Sequence, residues 1–394
     1  MRVAVIGGML QGVEATYLAH KAGWEVILVD KNRGVPAGGL CDTFYQIDVT
    51  REKELTRRLG KFDFFLPALE NEMALSNLCK IAKRANLPLA FDSKAYVISS
   101  SKIKSNRLFS HLDLPAPLPW PRADIPLIAK PSKGSGSTGV RLINSAEDLQ
   151  PIIQDKKGEW VIEEFIEGPS FSIEVAGSGK HYHALQVTDL QMDANFDCKR
   201  VKAPTILSKK MIRNLEREAL TLAKAINLRG VMDVEVILND RKLKVLEIDA
   251  RLPSQTPTVV YLSTGINIVE ILAKIFCQDS KLVPPDISSP RGVIYEHIEV
   301  SPEKLEFSGE HIMAGAGPLK LLKNFFGADE AITNYRPRVP SWLATLIVVE
   351  RDRETVWAKR CGVIHEIMKH CSIKNYMDPQ PHSSLDSCQP REGF

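Results

Sequence analysis

The chain has 394 residues, 25% of them charged, and a formal net charge of +3 at pH 7. That length allows two or three domains with substantial cores, and so balanced a charge points away from nucleic acid and membrane as partners. Seven cysteines without a CxxC pair form no disulfide or zinc framework and read as reduced thiols of a cytoplasmic protein.

The first ninety or so residues alternate strand and helix signals. Val3 to Ile6 is too short for a signal-peptide core and reads as a buried strand, followed by the Gly7-Gly8 turn and an amphipathic helix from Gln11 to Ala22. Glu25 to Val29 and Phe62 to Leu66 are further strands, the second ending at Pro67 before Glu70 and Asn71 open another helix. Repeated strand–turn–helix units predict an open parallel sheet with a ligand crevice at its strand ends. The spacing Gly7-Gly8…Gly12 departs from GxGxxG, so a nicotinamide-dependent oxidoreductase is a poor reading.

A proline-rich linker (Pro115, Pro117, Pro119, Pro121, Pro126) separates a lysine-rich segment containing Lys102 from a strand ending at Lys130. The run KPSKGSGSTGV, residues 130–140, lies between that strand and another from Val140 to Ile143, so it is a hairpin tip rather than a free linker. Its glycines leave backbone N–H groups free to approach phosphate, with Lys130 as a point charge; no GK[ST] helix follows, so it is not a Walker loop. Trp160 to Phe165 and Phe171 to Val175 are strands, and Lys209 to Ile226 is an amphipathic helix. Glu163, Glu164 and Glu174 on those strands read equally well as exposed acids.

The most informative stretch runs from Gly230 to Thr258. Read with a period of two, Asp233, Glu235 and Ile237 share one face, as do Glu247, Asp249 and Arg251 after the Asn239-Asp240 turn. An antiparallel hairpin centred near Arg241 sets Glu235 opposite Glu247 and Asp233 opposite Asp249. Like charges about 5 Å apart repel by roughly 3 kcal/mol at an effective dielectric of 20, so the patch calls for cations. Hard oxygen donors suit Mg²⁺ held together with substrate phosphates. Beyond it, Val259 to Phe276 is apolar but interrupted by Ser263, Asn267, Glu270 and Lys274, so no membrane span is expected. Ile266 to Phe276 and Val356 to His370 read as helices, Gly292 to Val300 and Trp342 to Glu350 as strands, without a catalytic constellation. The polar tail from Asn375 reads as disordered and dispensable.

In order, these features are Lys102, Lys130, a Gly/Ser hairpin, Val161-Ile162-Glu163-Glu164-Phe165-Ile166, Glu235, and Glu247-Ile248-Asp249-Ala250-Arg251. The set resembles the ATP-grasp superfamily of carboxylate–amine ligases over roughly residues 1–280. It looks most like the pyrrolysine-biosynthesis branch over most of 1–370, through VIGGMLQG, ILVDKN, FDSKAY, GVMDVE and EIDARLPSQTPTVVY. The resemblance implies an α/β chain with an amino-terminal open parallel α/β (pre-ATP-grasp) domain over 1–95. It further implies a two-subdomain nucleotide cleft over 96–280 with a lid near 115–165, then an α/β region over 281–374 and a tail over 375–394.

By that resemblance Lys102, Lys130, Ser135, Ser137 and Thr138 bind ATP phosphates, and Glu163 with Glu164, Phe165 and Ile166 holds adenine. Glu235, Glu247 and Asp249 hold two Mg²⁺ ions, and Arg251 joins Lys130 as catalytic. Leu10, Gln11, Glu70, Ser172, Glu174, Asp233, Arg251 and Ser254 bind substrate. Ser101, Ser170 and Asp233 depart from the wider superfamily, Ser170 standing where a ribose-binding carboxylate is common and Asp233 where D-alanine–D-alanine ligases carry arginine. The implied reaction activates the carboxylate of 3-methyl-D-ornithine or D-ornithine as an acyl phosphate and joins it to the side-chain amine of L-lysine. A D-alanine-type or purine-pathway ligase is the alternative within the fold, and a silent nucleotide sensor the alternative outside catalysis.

Overall fold

In the computed structural model Val3 to Ile6 and Val26 to Val29 are almost wholly buried, the pattern of strands covered on both faces. Residues 1–51, 55, 62–134, 136–155, 158–278, 282–283 and 287–381 are described. Strands β1 (Arg2–Ile6), β2 (Glu25–Asp30), β3 (Thr43–Gln46) and β4 (Phe64–Pro67) form a parallel sheet ordered β3-β2-β1-β4. Helix α1 (Leu10–Lys21) follows β1, and α2 (Glu72–Ala85), capped by Asn71, follows β4. The turn between β1 and α1 passes close under β4: Gly7 has φ +106°, and a Cβ there would lie 2.4 Å from the Ala68 carbonyl oxygen. Asp30 accepts hydrogen bonds from the Gly8 and Asn32 N–H groups at 2.8 Å each, so its carboxylate serves the chain's own backbone.

Two short helices, α3 (Ser93–Ser99) and α4 (Lys102–His111), lead to the lid. There β5 (Leu127–Pro131), β6 (Arg141–Ile143), α5 (Ala146–Gln154) and β7 (Trp160–Glu164) make a three-stranded antiparallel sheet with its own small core. The Gly/Ser segment joins β5 to β6, as a hairpin tip should.

The large sheet begins with β8 (Ser170–Ser178), β9 (Tyr182–Met192), β10 (Cys198–Ala203), β11 (Arg229–Asn239) and β12 (Lys242–Asp249), with α6 (Lys209–Ala225) before β11. Asp240 and Arg241 both have positive φ, the primed-turn geometry that matches strand twist. Asp233 pairs with Asp249 and Glu235 with Glu247, as the alternation predicts; Val236 then pairs with Val245, leaving Leu246 as a bulge. The other face, with Phe171, Ile173, Met232, Val234 and Val236, is buried with Leu215, Ala219 and Leu222 of α6. Burying that apolar face turns the acids of the opposite face toward the cleft.

The apolar stretch after β12 is two helices, α7 (Thr256–Thr264) and α8 (Ile268–Cys277), bent by 99°. No single helix among the described residues is long and apolar enough to cross a membrane. Five further strands follow: β13 (Gly292–Val300), β14 (Lys304–Phe307), β15 (Lys320–Phe325), β16 (Ala328–Thr333) and β17 (Trp342–Glu350). Because β10 pairs with β13, the sheet runs unbroken past residue 280. Helix α9 (His311–Ala314) lies between β14 and β15, and α10 (Arg353–Cys371) is set by an Asp352–Thr355 capping box.

The tail departs from its expected disorder. Asn375–Met377 forms β18, parallel to β14, and the Tyr376 ring packs on Phe307 at 5.5 Å. Asp378 pairs with Lys199 at 2.7 Å and Arg200 at 2.9 Å, cations that are almost fully buried and need a counter-charge. Burial raises the Asp378 pKa, yet the Arg200 and Lys199 charges bring it down to about 2. Residues 382–394 of the expected tail lie outside the described residues.

Helix α1 fixes the amino-terminal domain to the rest. Asn267 donates to the Leu18 carbonyl at 2.8 Å, and Lys21 meets Glu330 at 2.7 Å. The buried Glu14 carboxyl accepts the Thr258 N–H at 2.5 Å, at the first turn of α7. Burial pushes the Glu14 pKa up to about 7. A buried acid with a raised folded pKa keeps its proton in the native state while the unfolded state loses it. Its contribution is therefore full below about pH 4.5 and falls as pH rises to about 7, by on the order of 3 kcal/mol. Melting temperature followed from pH 5 to 7.5 should decline more steeply for wild type than for Glu14→Gln, which keeps the acceptor without the charge. Parallel curves would show that Glu14 titrates as an ordinary carboxylate.

Candidate active site

Two cavities, of about 710 and about 280 Å³, meet under the β5–β6 loop. Glu235 and Glu247 line both, so the acidic face of β11 and β12 forms the floor of their junction. Gly136, Ser137 and Thr138 line both from above, and Ser137 Oγ donates to the Phe196 carbonyl at 2.6 Å, holding the loop across the gap. Ser135 lies outside the described residues.

The smaller cavity takes its walls from Lys102, Lys130, Glu163 to Ile166 and Ser170. Lys130 Nζ lies 2.7 Å from Glu163 Oε1, whose other oxygen accepts from Asn106 at 2.9 Å. Burial works against the Lys130 charge, but Glu163, then Glu247 and Glu235, raise its pKa and hold the cation. The Glu164 carboxylate points to Lys244 and the Leu118 N–H, away from a ligand role, leaving its backbone to the cavity. Lys102 bridges Glu247 at 2.7 Å and the Gly134 carbonyl at 2.9 Å, tying the loop to the acids.

The larger cavity is lined by Leu10, Gln11, Glu70, Asp233, Asp249, Arg251 and Ser254. Arg251 lies 2.7 Å from Asp249 and 2.6 Å from Glu70, which also accepts from Gln11 at 2.9 Å. A line of side chains thus runs from the amino-terminal domain to the metal-type acids. Asp233 accepts a short hydrogen bond from Ser172 Oγ, and its neighbour across the strands is Glu174. Ser172 and Glu174 are fully buried and stand one layer back, supporting Asp233 instead of facing the cleft. Glu174 is therefore no exposed strand acid, and burial pushes its pKa up to about 7.

Burial, then the charges of Asp233 and Glu247, push Glu235 up to about 8; burial, with Glu247 and Glu70 adding, pushes Asp249 up to about 7. Asp233 rises well above the carboxylate range through burial and Glu174. Such groups are short of positive charge, and their hard oxygens fit Mg²⁺. A tighter trio, Asp193, Asp197 and His311, has ligand atoms within 4.8 Å of one another. It is a loop latch: Asp193 accepts the Asn195, Asp197 and Gly309 N–H groups, and Asp197 accepts from His311.

Sequence reasoning missed Glu310 and Gln255. Glu310, half-buried, lines the large cavity beside Ser254 and Gln255, and desolvation of its carboxyl raises its pKa. It lies in a stretch without periodicity and reaches the site only because β10 pairs with β13. Gln255 has φ +68° and directs its amide to the Cys198 carbonyl at 3.3 Å, an outlier that no pattern of residue types announces.

Residues 99–255 match the ATP-grasp domain family. The chain is 35% identical over 370 residues to 3-methyl-D-ornithine–L-lysine ligase of Methanosarcina barkeri, covering 91% of this chain and 95% of that protein. The Methanosarcina mazei enzyme of the same name is 34% identical over 364 residues, covering 91% and 93%. Among solved structures, biotin carboxylase of Campylobacter jejuni superposes with a TM-score of 0.71 at 17% identity, covering 92% of this chain and 91% of that one. An L-amino acid ligase of Bacillus licheniformis gives 0.67 at 18% identity, covering 93% and 97%.

If Glu247 and Asp249 serve a ligand rather than a core, Glu247→Gln and Asp249→Asn should abolish amide formation at ordinary Mg²⁺ while leaving the melting temperature within a few degrees of wild type. Wild-type turnover in either variant would remove that residue from the metal site.

Proposed function

From the premise that this chain belongs to the 3-methyl-D-ornithine–L-lysine ligases, within the ATP-grasp superfamily, we propose how its residues divide the work of an ATP-dependent carboxylate–amine ligase. The observation that carries the reading is the junction itself: one cavity lined by Lys102 and Lys130 and one lined by Asp233 and Arg251 share Glu235 and Glu247. The reaction turns the carboxylate of 3-methyl-D-ornithine, or D-ornithine, into an acyl phosphate and joins it to the side-chain amine of L-lysine, giving an amide, ADP and phosphate. Its place is in pyrrolysine biosynthesis.

ATP enters the smaller cavity, its base along Glu164 to Ile166 and its phosphates toward Lys102 and Lys130. Glu235, Glu247 and Asp249 would hold two Mg²⁺ ions, which when bound neutralise phosphate charge during phosphoryl transfer. Lys130, kept cationic by Glu163, lies on the phosphate side. Arg251, held between Asp249 and Glu70, faces the acyl oxygen and stabilises the oxyanion formed as the amine attacks. The loop over Gly136 to Thr138 covers both cavities and keeps water from the acyl phosphate.

Asp233 selects the substrate. It is 6% exposed, carries Glu174 at its back, and lines the amino-acid cavity, so a substrate ammonium is the charge it lacks. An ornithine-type donor brings an amino group on its side chain in addition to the one beside the reacting carboxylate; a small neutral amino acid brings only the latter. Glu70 and Gln11 then form the lysine side of the cleft with Leu10 and Ser254.

Purified protein given ATP, D-ornithine or its 3-methyl form, and L-lysine should yield the amide by mass spectrometry. Asp233→Asn should lower kcat/KM for the ornithine-type substrate by orders of magnitude, with the KM for ATP changed less than about threefold. An intact kcat/KM for that substrate, or equal damage to ATP binding, would return Asp233 to the metal cluster.

A further inference from the structure

The far end of the chain also reaches the nucleotide cavity. Gln380 and Pro381 line it together with Gln191, Met192, Lys202 and Arg353, across from Glu163 to Ile166. They arrive there along a fixed route. Residues 375–377 are exposed and pair with β14, whereas 378–381 turn inward and are half-buried. The turn is pinned by Asp378 on Lys199 and Arg200, by the Pro379 carbonyl accepting from Lys199, and by the Tyr376 hydroxyl beside the Arg360 guanidinium at 3.2 Å. Lys199 and Arg200 are 0% and 1% exposed, so the anchor stands in the protein interior.

What the strap presents to the cavity is chemically selective. The Gln380 amide, one donor pair and one acceptor, has no hydrogen-bond partner among the described residues. The nearby Gln191 side-chain oxygen Oε1 already accepts from Arg200 at 2.7 Å, and Arg353 is spent on Asp189 at 2.6 Å and the Pro204 carbonyl at 2.6 Å. Among the described residues Gln380 is thus a polar group on this wall left free to meet a ligand. Pro381 beside it adds an apolar surface without a backbone donor.

We propose that the strap 378–381 is the fourth wall of the nucleotide pocket, with Gln380 as a nucleotide-positioning residue that hydrogen-bonds the nucleoside portion of ATP. This rests on the smaller cavity being the nucleotide site. The strap brings a neutral amide, so it sorts nucleosides by hydrogen bonding and does not compete with the lysines for phosphate. It acts on binding and leaves the chemical step alone.

The test uses the full-length enzyme, Gln380→Ala, and a chain ending at Pro379, which keeps β18 and the Asp378 anchor. Mg²⁺–ADP affinity is measured by calorimetry, alongside the KM of each substrate and the melting temperature. Gln380→Ala should weaken ADP about fivefold and the shortened chain about tenfold or more, the loss of a hydrogen bond and of a wall. The KM for ATP should rise in parallel, while kcat, both amino-acid KM values and the melting temperature hold. ADP affinity unchanged in Gln380→Ala, or amino-acid KM values rising with that of ATP, would overturn the assignment. Failure of wild type itself to bind ADP would instead overturn the reading of the cavity.

Discussion

Four carboxylates on two paired strands, three of them with pKa values raised by burial and by one another, Glu235 to about 8 and Asp249 to about 7, are the constraint around which this molecule is arranged. A sheet that buries Met232, Val234 and Val236 on one face must project Asp233 and Glu235 from the other. The cluster is tolerable only with cations close by, and the protein supplies Lys102 and Arg251 from two different elements. Under the proposed function Mg²⁺ would complete that balance, holding the substrate phosphates against the acids.

Everything else in the fold can be seen as holding three bodies around that floor. The lid hangs its loop over the junction through Ser137 and Lys102. The amino-terminal domain is locked by Glu14 on the first turn of α7 and sends Glu70 to Arg251. The carboxy-terminal strands extend the same sheet and contribute Glu310 to the amino-acid side and Gln380 to the nucleotide side. The two cavities that meet at the junction thus draw their walls from all three bodies, a suitable arrangement for protecting a water-sensitive acyl phosphate.

How much of this was legible depends on range. The acid register followed from a period of two and one turn signal, because a hairpin is a local object. The lid loop was readable for the same reason. Glu174 was not: an acid alternating along a strand looks solvated, and only its pairing with Asp233 on a strand far along the chain shows it buried. The first residues of the tail, 375–381, escaped the reading through the same lack. The tail's composition is that of a disordered segment, yet Asp378 answers two buried cations 178 and 179 residues earlier in the sequence. Long-range charge compensation leaves no periodic trace, and Glu310 and the strap became visible only when sheet pairing brought them to the cavities.

The central claim is that the junction lets the γ-phosphoryl group of ATP meet the carboxylate of the ornithine-type substrate. Oxygen-18 placed in that carboxylate tests it directly. The account predicts that each turnover carries one labelled oxygen into inorganic phosphate, with the amide keeping the other, and that label placed in the lysine carboxylate stays in the product. Unlabelled phosphate from the ornithine-type substrate, or label arriving from lysine, would contradict the assignment of the two cavities and of the acids between them.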